Sequence, residues 1–207
     1  MSHLRIIVAL ALAATALAGC QRNPLLIKRS PCPAVAVPTY TGDTTLFRQG
    51  STPDAGNIDV VATITNVRET CGETSATLVS SITYDVVARR TSAAGARQVV
   101  LPVFATMVQG GNLLVSKQIS SVAVDFADGQ LRAVGRGGAS ASVARSATTL
   151  PADVQKKINS KRKAGDLDAA SDPLADPLVK AALRAASFEV LVGFQLSEGQ
   201  LAYNVTK

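Results

Sequence analysis

The chain has 207 residues, with 21 Lys and Arg against 15 Asp and Glu, a net charge of +6, three Cys, no Trp and a single His. That length holds one domain with a proper core and a short tether, or at most two small domains. With its only His at position 3, the rest of the chain lacks Ser-His-Asp and Cys-His activation, imidazole proton shuttling and every His-containing metal set.

The first predicted element is a secretory signal. His3 and Arg5 give a short polar, basic start, and residues 6–17 are apolar with Thr15 as the only interruption. A membrane-spanning helix needs ~20 apolar residues, so this run is too short to cross a bilayer. It fits the apolar region of a cleaved signal, followed by the small residues at which a peptidase reaches an extended backbone.

The run ends in Leu17-Ala18-Gly19-Cys20. This tetrad resembles the lipobox of bacterial lipoproteins, and the resemblance covers roughly the first twenty residues. It implies cleavage between Gly19 and Cys20, a diacylglyceryl group on the Cys20 thiol and acylation (palmitate among the usual chains) of the new amino terminus. Two or more acyl chains, at ~0.8 kcal/mol per buried CH₂, hold a protein stably on a bilayer where one does so only marginally. In the Gram-negative sorting rule an Asp after the Cys favours inner-membrane retention, so Gln21 implies the outer membrane, with the body facing the periplasm. Beyond the lipobox the chain has the general look of small Gram-negative envelope lipoproteins, which implies no activity.

Cys32 and Cys71 remain once the anchor is set aside. In an oxidising compartment two remaining thiols most simply pair. Closing the loop of about forty residues would stabilise by ~4 kcal/mol before native strain. No C-x-x-C spacing supports a redox pair.

Residues 20–56 read as the lipidated Cys and a tether. Pro24, Pro31, Pro33 and Pro38 fix φ and remove donors, so extended rather than helical chain is expected, partly strapped to the domain if Cys32 joins Cys71.

From residue 57 the apolar period becomes two. "NIDVVATITNV" sets Ile58, Val60, Ala62 and Ile64 on one face, and "ATLVSSITYDVVARR" does the same with Leu78, Ile82, Tyr84 and Val86. Strands are predicted near 57–68, 76–90, 97–109, 112–126, 130–145, 188–196 and 200–206. Turn signals separate them at Gly95, Gly110-Gly111, Asp128-Gly129 and Glu198-Gly199, and Asp128-Gly129 reads as a type I′ hairpin. The expected fold is mainly β, an antiparallel β-sandwich of immunoglobulin-like outline over 57–207, although the Cys-Trp-Cys hallmark is missing. A barrel is the alternative.

A helical insert over 150–187 interrupts the strands before the last hairpin. Pro151 suits a first helical position, with Asp153 in the first turn and Gly165 past the end. Asp176 suits an N-cap with Pro177 behind it, and Leu178, Val179, Ala182, Leu183 and Ala186 form an apolar stripe.

Candidate chemistry is sparse. Lys156, Lys157, Lys161, Arg162 and Lys163 crowd one predicted helix and suit an anionic contact with lipid, lipopolysaccharide or peptidoglycan, or else simply a solvated face. Asp166, Asp168, Asp172 and Asp176 invite a metal, but lack the Gly and closing Glu of a calcium loop, and two of them precede proline as caps. Gly135, Gly137 and Gly138 lack the Lys and spacing of a phosphate-binding loop, and read as a bulge or close sheet packing. Ser160 to Lys163 spell Ser-x-x-Lys without its partner motifs. No cofactor, catalytic or metal residue is therefore assigned.

The expected function is a lipid-anchored envelope protein with a structural, accessory or binding role. Its partners would be the membrane through Cys20, an envelope protein, peptidoglycan or lipopolysaccharide, and not nucleic acid, since aromatics are scarce and the basic surplus mild. The alternative is a His-independent envelope hydrolase or transferase using Asp, Glu or Lys, for which Asp59, Asp85, Asp125 and Glu189 would have to converge.

Overall fold

A computed structural model of the chain describes residues 30–160, 165 and 170–206. The alternating segments form long strands: β3 Ile58–Glu73, β4 Thr77–Arg90, β5 Arg97–Gln109, β6 Leu113–Phe126, β7 Arg132–Ala144 and β8 Phe188–Phe194. Two shorter strands precede them, β1 Ala34–Ala36 and β2 Asp43–Phe47. Strands β1-β8-β5-β6 make sheet I and β2-β3-β4-β7 make sheet II.

The two sheets pack as a sandwich around one core. Every second residue points inward: Val60, Ala62 and Ile64 on β3, and Leu78, Ile82, Tyr84 and Val86 on β4. They meet Leu101 and Val103 of β5, Val122, Val124 and Phe126 of β6, and Val190, Val192 and Phe194 of β8 in one cluster. Fully burying each Val, Leu, Ile or Phe among them contributes about 1.5–3 kcal/mol.

Strands β1 and β2 lie inside the segment expected to be tether, and the compact unit begins at Pro31. Both are short, and β1 sits just before Pro38, so neither has a period of its own; distant partners hold them. Strand β1 pairs in parallel with β8, and β2 antiparallel with β3. The predicted disulfide is present. Cys32, just ahead of β1 in sheet I, is bonded to Cys71 of β3 in sheet II, with Cα atoms 6.2 Å apart.

The last expected strand is instead helix α3, Glu198–Thr206, so β8 ends in no hairpin. Ser197 and Gln200 form a capping box: the Ser197 amide donates to Gln200 Oε1 at 2.9 Å and the Gln200 amide to Ser197 Oγ at 3.3 Å. The helix also lays Gln200 and Asn204 along the free edge of β2. There Gln200 Nε2 donates to the Thr45 carbonyl at 3.3 Å and Asn204 Nδ2 to the Asp43 carbonyl at 2.8 Å. Phe47 and Tyr203 meet edge to face. An edge strand is thus covered rather than left as a template for pairing.

Asp128-Gly129 is a turn but no hairpin, because β6 and β7 belong to different sheets. Gly129 has φ +79° while Asp128 does not share the positive region, which rules out type I′. Turns of the ordinary hand splay the flanking strands, and here the chain passes from sheet I to sheet II. The two strands still approach closely: a Cβ on Gly135 would lie 2.5 Å from the Ala123 carbonyl oxygen. Close packing, not phosphate binding, explains that glycine.

Helices α1, Ala152–Asn159, and α2, Pro177–Ala185, precede β8. Helix α1 begins one residue after Pro151 and stops before Ser160, short of the expected end. In α2, Asp176 caps as expected, accepting from the Leu178 amide at 2.8 Å. Val179 and Ala186 are buried, but Leu178 is 78% exposed and leaves the stripe. It lies about 100° round the helix from Val179.

Arg90 holds the sandwich's end together. It is 5% exposed, and its guanidinium donates to the carbonyls of Ala93 (2.7 Å), Gly95 (2.8 Å), Ala127 (3.0 Å) and Gln130 (2.7 Å). Those carbonyls lie on the two connections that cross between sheets, and the charge rests over the Phe126 ring. The desolvated cation is satisfied without a carboxylate.

Candidate functional site

Among the described residues, those singled out from sequence do not form one site. Gly19, Cys20, Lys161, Arg162, Lys163, Asp166 and Asp168 lie outside the described residues. Lys156 is exposed on α1. Lys157 is bound to Asp176 at the start of α2, and that contact, with the two amides Asp176 caps, holds its carboxyl below the usual range. Asp172 likewise caps, accepting from the Leu174 amide at 2.9 Å. No group of three metal-ligating side chains, and no helix long and apolar enough to cross a membrane, occurs among the described residues.

The four strand carboxylates are spread out. Asp59 on β3 is clasped by Arg97 of β5, two nitrogens to two oxygens at 2.9 and 2.6 Å, and this pairing lowers its pKa against the opposing effect of burial. Asp125 on β6 accepts from Gln98 at 2.7 Å. Glu189 sits on β8 between Ala34 and Val108. Asp85 is on the outer face of sheet II.

That outer face carries the most developed polar arrangement. A bulge interrupts β3 between Thr65 and Arg68, and within it Asn66 takes φ +51°, a conformation Asn tolerates better than most residues. The bulge turns the Asn66 amide onto the neighbouring strand, where Nδ2 donates to Asp85 Oδ2 at 2.9 Å. Arg68 Nε donates to Asn66 Oδ1 at 2.9 Å, and Arg136 Nε stands 3.6 Å from Asp85 Oδ1. A hollow of about 330 Å³ opens among Asn66, Thr83, Asp85 and Arg136. With its carboxylate engaged on both oxygens, the cluster is built to present oriented donors and charge. Toward the other end of the face, register sets Arg89 directly opposite Arg132.

The second surface is the free edge of sheet I. Leu113–Ser121 of β6 is exposed throughout. Leu113 (58%), Leu114 (59%) and Ile119 (63%) are more than half open to solvent. Register places Ile119 beside Phe104 and Ala123 beside Val100, so the apolar edge continues onto the sheet's outer face. One cation, Lys117, lies over the Phe104 ring at 5.3 Å.

Neither surface was found from sequence. Both depend on which strand lies at an edge and on residues far apart in the chain. Comparison with family models, curated proteins and solved structures returned no match.

Proposed function

We propose that the chain is a lipid-anchored envelope protein, held at the outer membrane through Cys20 and facing the periplasm, that acts by binding an extended segment of another envelope protein. The lipobox supports the anchor. The observation that carries the binding role is the uncovered β6 edge, nine exposed residues flanked by apolar side chains. Soluble proteins ordinarily blunt such edges with charge, proline or a covering helix, as α3 does for β2. An open edge offers main-chain hydrogen bonds to an added strand, and the side chains of Val115 and Ile119 offer it selectivity. Leu113, Leu114, Val115, Ile119 and Val100 stand open to solvent on or beside it, and grouped apolar exposure of this kind supports an interaction surface.

The test places a photo-crosslinking residue at Val115, Ile119 or Ser140 in the full chain and irradiates intact cells. The two edge positions should give the same discrete adduct, and Ser140, exposed on β7, should give none. Absence of an adduct, or one pattern from all three positions, overturns the binding reading. For the anchor, Cys20→Ala should move the protein from the membrane to the soluble fraction and abolish acyl labelling.

A further inference from the structure

The hollow at the Arg89 end of sheet II has a composition that the edge-strand reading does not use. Strands β4 and β7 pair so that Arg89 and Arg132 are direct cross-strand neighbours on the outer face, their Cβ atoms about 5 Å apart. Like charges so placed repel. Both side chains are exposed, and neither has a carboxylate partner among the described residues. The nearby acids are engaged elsewhere, Asp43 by the Thr63 hydroxyl at 2.6 Å, Asp59 by Arg97, and Asp85 by Asn66 and Arg136. Beside the two guanidinium groups lies a hollow of about 600 Å³ whose other walls include Ile58, Val61, Val87 and Leu131.

The arrangement is a pair of cations at the rim of an apolar depression. Guanidinium groups bind phosphate or carboxylate through parallel N–H donors. An anion between them would replace their repulsion with two attractions. Inorganic phosphate would leave the aliphatic wall wet, and a neutral alcohol would leave the charges unanswered. We propose that this hollow binds a single-chain anionic amphiphile, an alkyl phosphate or fatty-acid carboxylate, with its head between Arg89 and Arg132 and the first carbons of its chain on Val61, Val87 and Leu131. A bilayer is not the occupant favoured, because its headgroups meet a surface while its chains stay in the membrane and cannot line a depression.

The inference does not depend on the acyl anchor. The test is equilibrium dialysis of radiolabelled octyl phosphate against the full chain, in phosphatidylcholine nanodiscs or, if the protein is isolated free of membrane, in buffer. Wild type and R89Q/R132Q are compared in the same medium, so partition into lipid cancels. Wild type should bind one equivalent saturably and the double variant at least tenfold more weakly. R89K/R132K should fall between them, and octanol and inorganic phosphate should each compete at least tenfold less well than unlabelled octyl phosphate. Equal binding by wild type and R89Q/R132Q, or no saturable binding, overturns the proposal. So does competition by inorganic phosphate as strong as that by octyl phosphate, which would make the site a simple anion site. Recruitment of wild type, but not the double variant, to phosphatidylglycerol vesicles without uptake of free octyl phosphate would assign the arginines to a lipid surface and overturn it also. A melting temperature of R89Q/R132Q no lower than that of wild type checks folding, and R89K/R132K keeps the test open if it is lower.

Discussion

The outer faces of the two sheets differ sharply although the same period-two pattern builds both. On sheet I, Val100, Pro102 and Ile119 stand outward with one cation, Lys117, itself laid over Phe104. On sheet II the outward positions hold Arg68, Arg89, Arg132 and Arg136, with Asp85 beside Arg136 and Asp43 of β2 held by the Thr63 hydroxyl. The inward residues are constrained by the core, since a one-residue slip would send each to solvent. The outward residues carry no such constraint, so one face can become apolar and the other basic without changing the fold.

If the two faces are separate surfaces on a shared core, variants that loosen the ties between sheets should impair both, and variants on one face should spare the other. Arg90 is the largest such tie, because it fixes both crossing connections. Arg90→Leu leaves several carbonyls dry, each costing about 1–3 kcal/mol, and should lower stability by at least ~4 kcal/mol in denaturant titration. Edge crosslinking and amphiphile binding should fall together.

Next is the disulfide, which ties the chain ahead of β1 to β3. Cys71→Ser should cost about 2–4 kcal/mol in oxidising buffer, and reduction of wild type should reproduce the loss. An unchanged melt would show that the bond bears no load.

A smaller tie is Asp59 with Arg97, joining β3 of sheet II to β5 of sheet I. Arg97 holds the Asp59 carboxyl below the usual range, so its folded pKa is lower than its unfolded value near ~3.9. The stabilisation is therefore fully present above that unfolded value and disappears as pH falls through the folded one. Both partners are partly exposed, so the effect is held to under ~1 kcal/mol. Arg97→Gln should flatten the part of the acid limb that lies below the unfolded carboxyl value and leave stability at pH 7 slightly reduced.

The smallest effect concerns one face alone. Arg132→Gln removes a like-charge cross-strand contact and should raise stability by a few tenths of a kcal/mol, detectable at low salt and fading at high salt. Edge crosslinking at Ile119 should not change. Coupled loss at the edge would show that the two faces are not independent.

Much of the fold was legible because its signals are local or exclusive. Strands β3 to β8 follow from alternation and turn signals, α2 from Asp176-Pro177, and the Cys32–Cys71 pairing from the two thiols that remain once Cys20 is set aside for the anchor. Helix α3 carries a misleading local signal, because Tyr203, Val205 and Thr206 suit a strand and the turn-like Glu198-Gly199 masks the Ser-x-x-Gln box at 197–200. Strands β1 and β2 had no signal, being three and five residues long and supported by partners remote in sequence. The candidate surfaces were less legible still. Arg89 and Arg132 each look like an ordinary polar position at a strand end, and only the β4–β7 register makes them neighbours.

By itself, then, the sequence determined that the segments of β3 to β8 are strands, which of their residues face inward and, through the tetrad at Cys20, the expectation of an acyl anchor. These are properties of short windows, where backbone sterics and burial act on adjacent residues. Tertiary structure alone decided the sheet order, the passage of the Asp128-Gly129 turn between sheets, the covering of β2 by α3 and the exposure of β6. Strand pairing joins residues tens of positions apart, and the choice of edge depends on where every other element has packed.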